Sequence, residues 1–238
     1  MSTPNIRLEW RWDQYDICPP GPFLMSGPRI IPYDGTIVGA GVSCECIEPD
    51  PSYTDLTFEL RRLGTSIWSE TIPSTQLQGY RNWVFAGVPV VVVADQYLCV
   101  HITGGKSLTN GAFAVSALYD PGADGYSALT WHMNQSNGSA GVNLNYLDCP
   151  RSIPIDLQLR RITWGALAGV PTDNTYRILY KAPGASFVTL ADVNISTTDF
   201  GHTDLVQDFV ANTIFVVQDR GGADPKLTDI EIGLWFKR

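Results

Sequence analysis

Few residues in this chain are spaced for covalent or metal chemistry. The three histidines, His101, His132 and His202, lie far apart. None has a second ligand at an HxH or HExxH spacing, so the pattern that would hold a zinc ion is missing. The five cysteines, Cys18, Cys44, Cys46, Cys99 and Cys149, are odd in number and form no CxxC pair. They read as small core residues rather than as a disulfide framework or zinc site. No GxSxG elbow, P-loop or strand-following GxGxxG occurs, and GGADPK at Gly221 to Lys226 reads as a hairpin or loop. Asp120 and Asp124 in DPGADG have a calcium-loop spacing, but no bidentate acid closes an EF-hand, so the segment reads as a turn. A glycosidase needs two carboxylates at a fixed separation, and a sequence does not say which of 24 acidic residues face each other. The chain is therefore expected to be no enzyme, with no catalytic residues, no metal site and no cofactor.

Binding is the better prospect. Seven tryptophans are many for 238 residues, and an exposed indole suits the apolar face of a sugar whereas a buried one is core. Trp10 and Trp131 fall on apolar strand faces and read as core. Trp83 stands in GYRNWVF beside Tyr80, Arg81 and Asn82. The four make a candidate glycan-binding patch in what reads as an irregular segment, with stacking rings and planar donors. The later part of the chain offers TTDFGHTD, Thr197 to Asp204, with a single ring and a histidine.

The formal charge of −8 and the absence of any Lys/Arg cluster longer than a pair exclude the basic footprint of a nucleic-acid binder. No run of about 18 apolar residues is present to span a bilayer, and MSTPNIRLEW lacks the basic and apolar regions of a secretory signal. Synthesis in the cytoplasm without membrane insertion is expected.

The elements that must hold any site come in two sets. LEWRWDQ from Leu8 is echoed by LTWHMNQ from Leu129, and PRIIP from Pro28 by PRSIP from Pro150. TIVGAG from Thr36 has a looser counterpart in RITWGAL from Arg161, and TFELRR from Thr57 resembles TYRILYK from Thr175. VADQYLCV from Val93 lines up with VANTIFVV from Val210, and AFAVSALY from Ala112 with DIEIGLWF from Asp229. The order never breaks, which points to a tandem duplication with small loop insertions. The boundary falls in YDPGADGY, dividing the chain into domains 1–121 and 122–238.

Within each copy, apolar residues alternate with polar ones, as at Ile6, Leu8, Trp10 and Trp12, or Ile230, Ile232, Leu234 and Phe236. No window keeps a helical period. The expected class is all-β: two tandem antiparallel β-sandwich domains, jelly-roll-like, with immunoglobulin Greek-key topology as the alternative. VPVVVVAD, Val88 to Asp95, is apolar at both parities and is expected to be covered on both faces, in the sandwich or by a neighbouring subunit. CPPGPFLMSG, Cys18 to Gly27, has no repeat partner and reads as a loop over the sandwich end or a docking arm.

The frame IPYDGTIVGAGVSC, then TFELRRLGTSIWSETIP, then VVVADQYLCVHITGG, resembles small β-sandwich modules of tailed-phage virion proteins. The resemblance covers about residues 28 to 119, and reaches residues 150 to 238 through the internal repeat, where PRSIPIDLQ lacks the DGT. It implies a virion structural protein on the surface of a phage or gene-transfer particle: head spike or fibre base, capsid decoration, or tail receptor binding. The implied partners are other capsid or tail proteins, copies of itself in a homo-oligomer, and a host surface polysaccharide. A cellular carbohydrate-binding module is the competing reading, and a small glycan hydrolase the third.

Overall fold

The computed structural model describes residues 5–14, 23–24, 29–46, 54–76, 80–82, 89–104, 111–122, 126–133, 150–168, 174–195, 200–220 and 228–237, some strand-end residues by backbone alone. The chain divides into two compact units, Met1–Ala123 and Asp124–Arg238. The first holds β1 (Ile6–Gln14), β2 (Phe23–Leu24), β3 (Arg29–Ile30), β4 (Gly35–Cys46), β5 (Leu56–Arg62), β6 (Thr65–Ile72), β7 (Tyr80–Asn82), β8 (Val90–Val92), β9 (Tyr97–Gly104) and β10 (Gly111–Asp120). The second holds β11 (Tyr126–Met133), β12 (Arg151–Ser152), β13 (Leu157–Ala168), β14 (Asn174–Lys181), β15 (Val188–Ile195), β16 (Phe200–Phe209), β17 (Ile214–Asp219) and β18 (Thr228–Lys237). One 3-10 turn, Ser74–Gln76, is the only helical segment among the described residues.

The second unit pairs its strands β11-β18-β13-β16 in one sheet and β12-β17-β14-β15 in the other. Counted from the first strand of the unit, the orders are 1-8-3-6 and 2-7-4-5, which is the jelly-roll arrangement and not the immunoglobulin one. The first unit repeats it, as β1-β10-β4-β7 with β8 also on β4, and β2-β9-β5-β6 with β3 also on β9. Of the unrepeated segment Cys18 to Gly27, Phe23 and Leu24 add to the edge of β9; the remainder lies outside the described residues.

Alternation drives both sandwiches. In the second unit Trp131, Leu159, Ile162, Tyr176, Ile178, Phe215, Val217, Ile232, Leu234 and Phe236 come from both sheets into one apolar cluster. In the first, Trp10, Val42, Phe58, Leu60, Val100, Ile102, Val115 and Tyr119 are fully buried. Several strands depart from the simple pattern, as at Ser116 on β10 and Val216 on β17; on β18 Glu231 (3% exposed) and Trp235 (1%) sit at the opposite parity and are also buried, Trp235 Nε1 donating to Thr163 Oγ1 at 3.0 Å.

The sheet register corrects one reading of the sequence. Ala117 faces Ala40 and Leu234 faces Ile162, so Ala40 corresponds to Ile162 and the apparent match of TIVGAG with RITWGAL is out of step. Small residues attract alignment, but the ladder fixes equivalence through backbone bonds. The true register places an extra residue at the same point in each copy, Val38 on β4 and Arg160 on β13, and again at Ile67 on β6 and Leu190 on β15. Matching β-bulges twist both sandwiches alike. In the valine run Val92 is buried, while Val91 is 66% exposed and Val93 49%, because Val90–Val92 makes a short strand beside β4 and none of the described residues covers its other parity, which leaves it to a neighbouring subunit in the expected arrangement.

The strongest echo, PRxIPxD, closes the same latch in each unit. Arg29 stacks its guanidinium 5.7 Å from the Trp10 ring centre, and Arg151 does the same over Trp131 at 5.7 Å. Ile31 donates its N–H to Gln96 O at 2.8 Å and accepts from Asp95 N at 2.8 Å; Ile153 donates to Thr213 O at 3.2 Å and accepts from Asn212 N at 2.7 Å. Asp34 and Asp156 accept the next free amides of that turn, Ala94 N at 2.9 Å and Ala211 N at 2.7 Å. Asp95 and Asn212 both take positive φ, 68° and 62°, which short polar side chains tolerate best.

Asp34→Ala and Asp156→Ala should each destabilise their unit by about 1 kcal/mol, since a turn amide loses its acceptor. The Asn variants, which keep an acceptor, should lose less; equal thermal shifts for Ala and Asn would contradict the latch. In the β5–β6 hairpin Leu63 and Gly64 both have positive φ, 48° and 82°, a turn that Asn-Gly fits. Leu63→Asn should raise the unfolding free energy by about 1 kcal/mol in denaturant titration.

Candidate functional site

The patch expected at Tyr80 to Trp83 is not an irregular segment over its first three residues. Tyr80, Arg81 and Asn82 form β7, facing Cys44, Ser43 and Val42 of β4 respectively. Trp83 lies outside the described residues, and Tyr80 to Asn82 are described by backbone alone. The register shows what occupies the same place in the second copy: Gly201 faces Trp164 as Asn82 faces Val42. The half-buried Trp164 indole lies flat on Gly201, where a Cβ would fall 2.5 Å from the ring. This tryptophan is therefore committed to packing, as are Trp10, Trp131 and Trp235.

A different set of polar residues is brought together by β5 and β9. Their core-facing members, Phe58, Leu60, Val100 and Ile102, are fully buried, so the alternate residues share the outer face. The register sets three rungs across β9, β5 and β6: Thr103, Thr57 and Thr71; His101, Glu59 and Ser69; Cys99, Arg61 and Ser66. Thr57 and Thr71 hydroxyls hydrogen-bond at 2.9 Å. Arg61 donates to Glu59 Oε2 from Nε at 2.9 Å and from Nη2 at 2.5 Å. His101 Nδ1 is buried without a hydrogen-bond partner, and burial, then the Arg61 charge, lowers the imidazole pKa. Burial likewise pushes the Cys99 thiol up, which keeps it protonated and unreactive. Thr57, Glu59, Arg61, His101 and Thr103 are half-buried.

The matching face of the second unit closes on itself. Arg177 faces both Gln218 and Asp192, donating to the two Asp192 oxygens at 2.7 and 2.8 Å. Leu179 and Val216 take the places of Arg61 and Cys99. On the other sheet of that unit Arg161 grips Asp204 at 2.6 and 3.2 Å.

The alternation in TFELRR and LCVHIT sets Thr57, Glu59, Arg61, His101 and Thr103 at the parity opposite the core, while Cys99, at the same parity, is buried. The sequence conceals that the two strands are neighbours, because the segment between them crosses to the other sheet at β7 and β8. Among the described residues no group of three His, Cys, Asp or Glu side chains could hold a metal ion. At Asp120 the geometry is that of a turn: its carboxylate accepts Gly122 N at 2.9 Å, with φ of 80° at the glycine. No protein-family model and no curated protein sequence matches the chain.

Hydrogen bonds from Arg177 and Arg161 hold Asp192 and Asp204 below the usual carboxylate range. A carboxylate depressed in the folded state stabilises it above its unfolded pKa of about 3.9, and that contribution disappears as pH falls through the folded value. Asp192→Asn with Asp204→Asn should therefore lower stability at pH 7 while flattening the loss of stability below about pH 4. Parallel acid-unfolding curves for variant and parent would show that neither pair contributes.

Proposed function

We propose that this chain is a non-enzymatic structural protein of a virion surface, serving as a head spike or fibre base, a capsid decoration or a tail fibre component, and aiding attachment to a host cell-surface polysaccharide. The observation that carries the reading is the jelly roll built twice with the same PRxIPxD latch. Jelly rolls serve repeatedly as capsid and lectin domains, and a fold by itself does not select a chemistry. The frame around that latch is also the one that resembles modules of phage particles. Other capsid or tail proteins, further copies of the chain and a surface glycan are the partners, with the protein made in the host cytoplasm and carried out on the particle. Exposed Val91, Val93, Ile155, Val206 and Val210 give apolar surface for self-association or docking. In this reading Tyr80, Arg81, Asn82 and Trp83 contact the glycan. A cellular carbohydrate-binding module is the second reading, favoured by the polar outer face built on β5 and β9.

Mass spectrometry of purified particles should find the chain at a fixed copy number, and particles carrying Trp83→Ala and Arg81→Ala should adsorb to host cells at least tenfold less. Absence from particles overturns the virion role; unchanged adsorption, with normal incorporation, overturns the Tyr80–Trp83 site alone.

A further inference from the structure

We propose that the outer face of the β9–β5–β6 sheet, centred on Glu59 and His101, binds a neutral polyhydroxylated glycan. The proposal deepens the attachment reading above and rests on it, but moves the contact from Tyr80–Trp83 to a second surface.

The face presents polar side chains at sheet spacing. Adjacent strands hold side chains about 5 Å apart and alternate residues along a strand about 7 Å apart, so the Thr103–Thr57–Thr71 and His101–Glu59–Ser69 rungs, with Arg61 and Ser66 beyond them, make an array the width of a sugar ring and more than one ring long. Both Arg61 bonds to Glu59 end on Oε2, which leaves Oε1 to accept from a hydroxyl. Directly across the ladder stands His101. Its depressed pKa makes the ring neutral at pH 7, with one N–H. Nδ1 is buried and unpartnered. We assign the proton to Nε2, because a buried N–H left without an acceptor is rarer than a buried acceptor left without a donor. A donor and an acceptor on neighbouring strands complement two adjacent ring hydroxyls, each of which both donates and accepts. Thr57, Thr71, Thr103 and Ser69 extend the same chemistry to either side.

Charge selects the ligand class. Glu59 and Arg61 cancel, His101 is neutral, and the chain carries −8 overall, so an acidic polysaccharide is repelled and a neutral one is not. Comparison of the copies selects the unit. Of the equivalent rungs in the second unit, the one matching Glu59 and His101 is taken up by the two-pronged Arg177–Asp192 pair and the one matching Arg61 and Cys99 is apolar, Leu179 facing Val216, so the polar face with an open carboxylate oxygen is that of the first unit.

The test is affinity electrophoresis of the full chain through gels holding dextran, mannan or galactan, with alginate as the acidic control. A neutral polysaccharide should retard the parent chain. His101→Ala and Glu59→Ala should weaken retardation at least tenfold with unchanged unfolding midpoints, while Glu59→Gln, which retains an acceptor, should keep part of it. In ¹⁵N spectra, oligosaccharides of the retarding type should move the His101 imidazole signals and leave those of His132 and His202 in place. Retardation that survives both Ala variants overturns the proposal, as does retardation by alginate alone. If retardation is lost instead in Trp83→Ala and Arg81→Ala, this face is wrong and the attachment reading stands. If none of the neutral polysaccharides retards the parent chain, the proposal falls while the chain's presence in particles still decides the virion role.

Discussion

Each sandwich depends on one turn being held by an isoleucine backbone and an aspartate side chain. A jelly roll brings its second and seventh strands side by side although most of the domain separates them in sequence, and the entropy lost in closing so long a loop must be offset where they meet. At Ile31 and Ile153 two backbone bonds join the entering segment to the far turn. Asp34 and Asp156 then satisfy the remaining amide, and the preceding arginine covers the tryptophan of the first strand. First strand, second strand and seventh strand are thus tied within a seven-residue motif. The two units differ in how deeply that arginine lies: Arg29 is buried and also donates to the Glu9 carbonyl, whereas Arg151 is exposed. A cation over an aromatic ring is stronger away from water, so the first unit relies more on this contact.

The motif explains why some echoes were readable and others misleading. Trp10, Trp131 and the alternation along β1 and β18 announce strands because burial imposes a period of two that any reader of the sequence can count. PRxIPxD survives in both copies because its isoleucine backbone, its aspartate carboxylate and its arginine guanidinium meet the same partners in each unit. The supposed loss of the DGT in PRSIPIDLQ removes the glycine and threonine but keeps Asp156, the atom group that performs the capping. TIVGAG and RITWGAL match out of step because glycine and alanine there answer to local packing, and a bulge at Val38 or Arg160 leaves no mark on composition. Strand order was likewise beyond reach, since alternation says which residues face inward and nothing about which strand lies beside which.

The same limit governs the polar sites. Tyr80 to Trp83 stood out because four unusual residue types are contiguous, yet in β7 contiguous residues alternate across a sheet. Glu59 and His101 are separated by 42 positions and become neighbours through the ladder alone. Contiguity favours the first set to the eye, whereas β-structure assembles surfaces from every second residue of several strands. The divergence between the copies is concentrated on such surfaces: the latch, the bulges and the strand order agree, while the outer rungs hold an open Glu59–Arg61 pair in one unit and a saturated Arg177–Asp192 pair in the other.

Neither sandwich closes into a barrel, so each retains outermost strands whose backbone groups have no ladder partner on one side. These edges are β6, β15 and β16 among others, and a long flat edge invites pairing with a second chain. Here Asp204 and Asp208 stand exposed on β16, Asp192 and Asn194 on β15, and a bulge at Ile67 or Leu190 bends β6 and β15 out of flatness. Addition of a foreign strand would have to accommodate these polar and ion-paired side chains and straighten the bend. Where many copies are held close, this bias against edge-to-edge growth steers association toward side-chain surfaces and keeps crowding from becoming fibril formation.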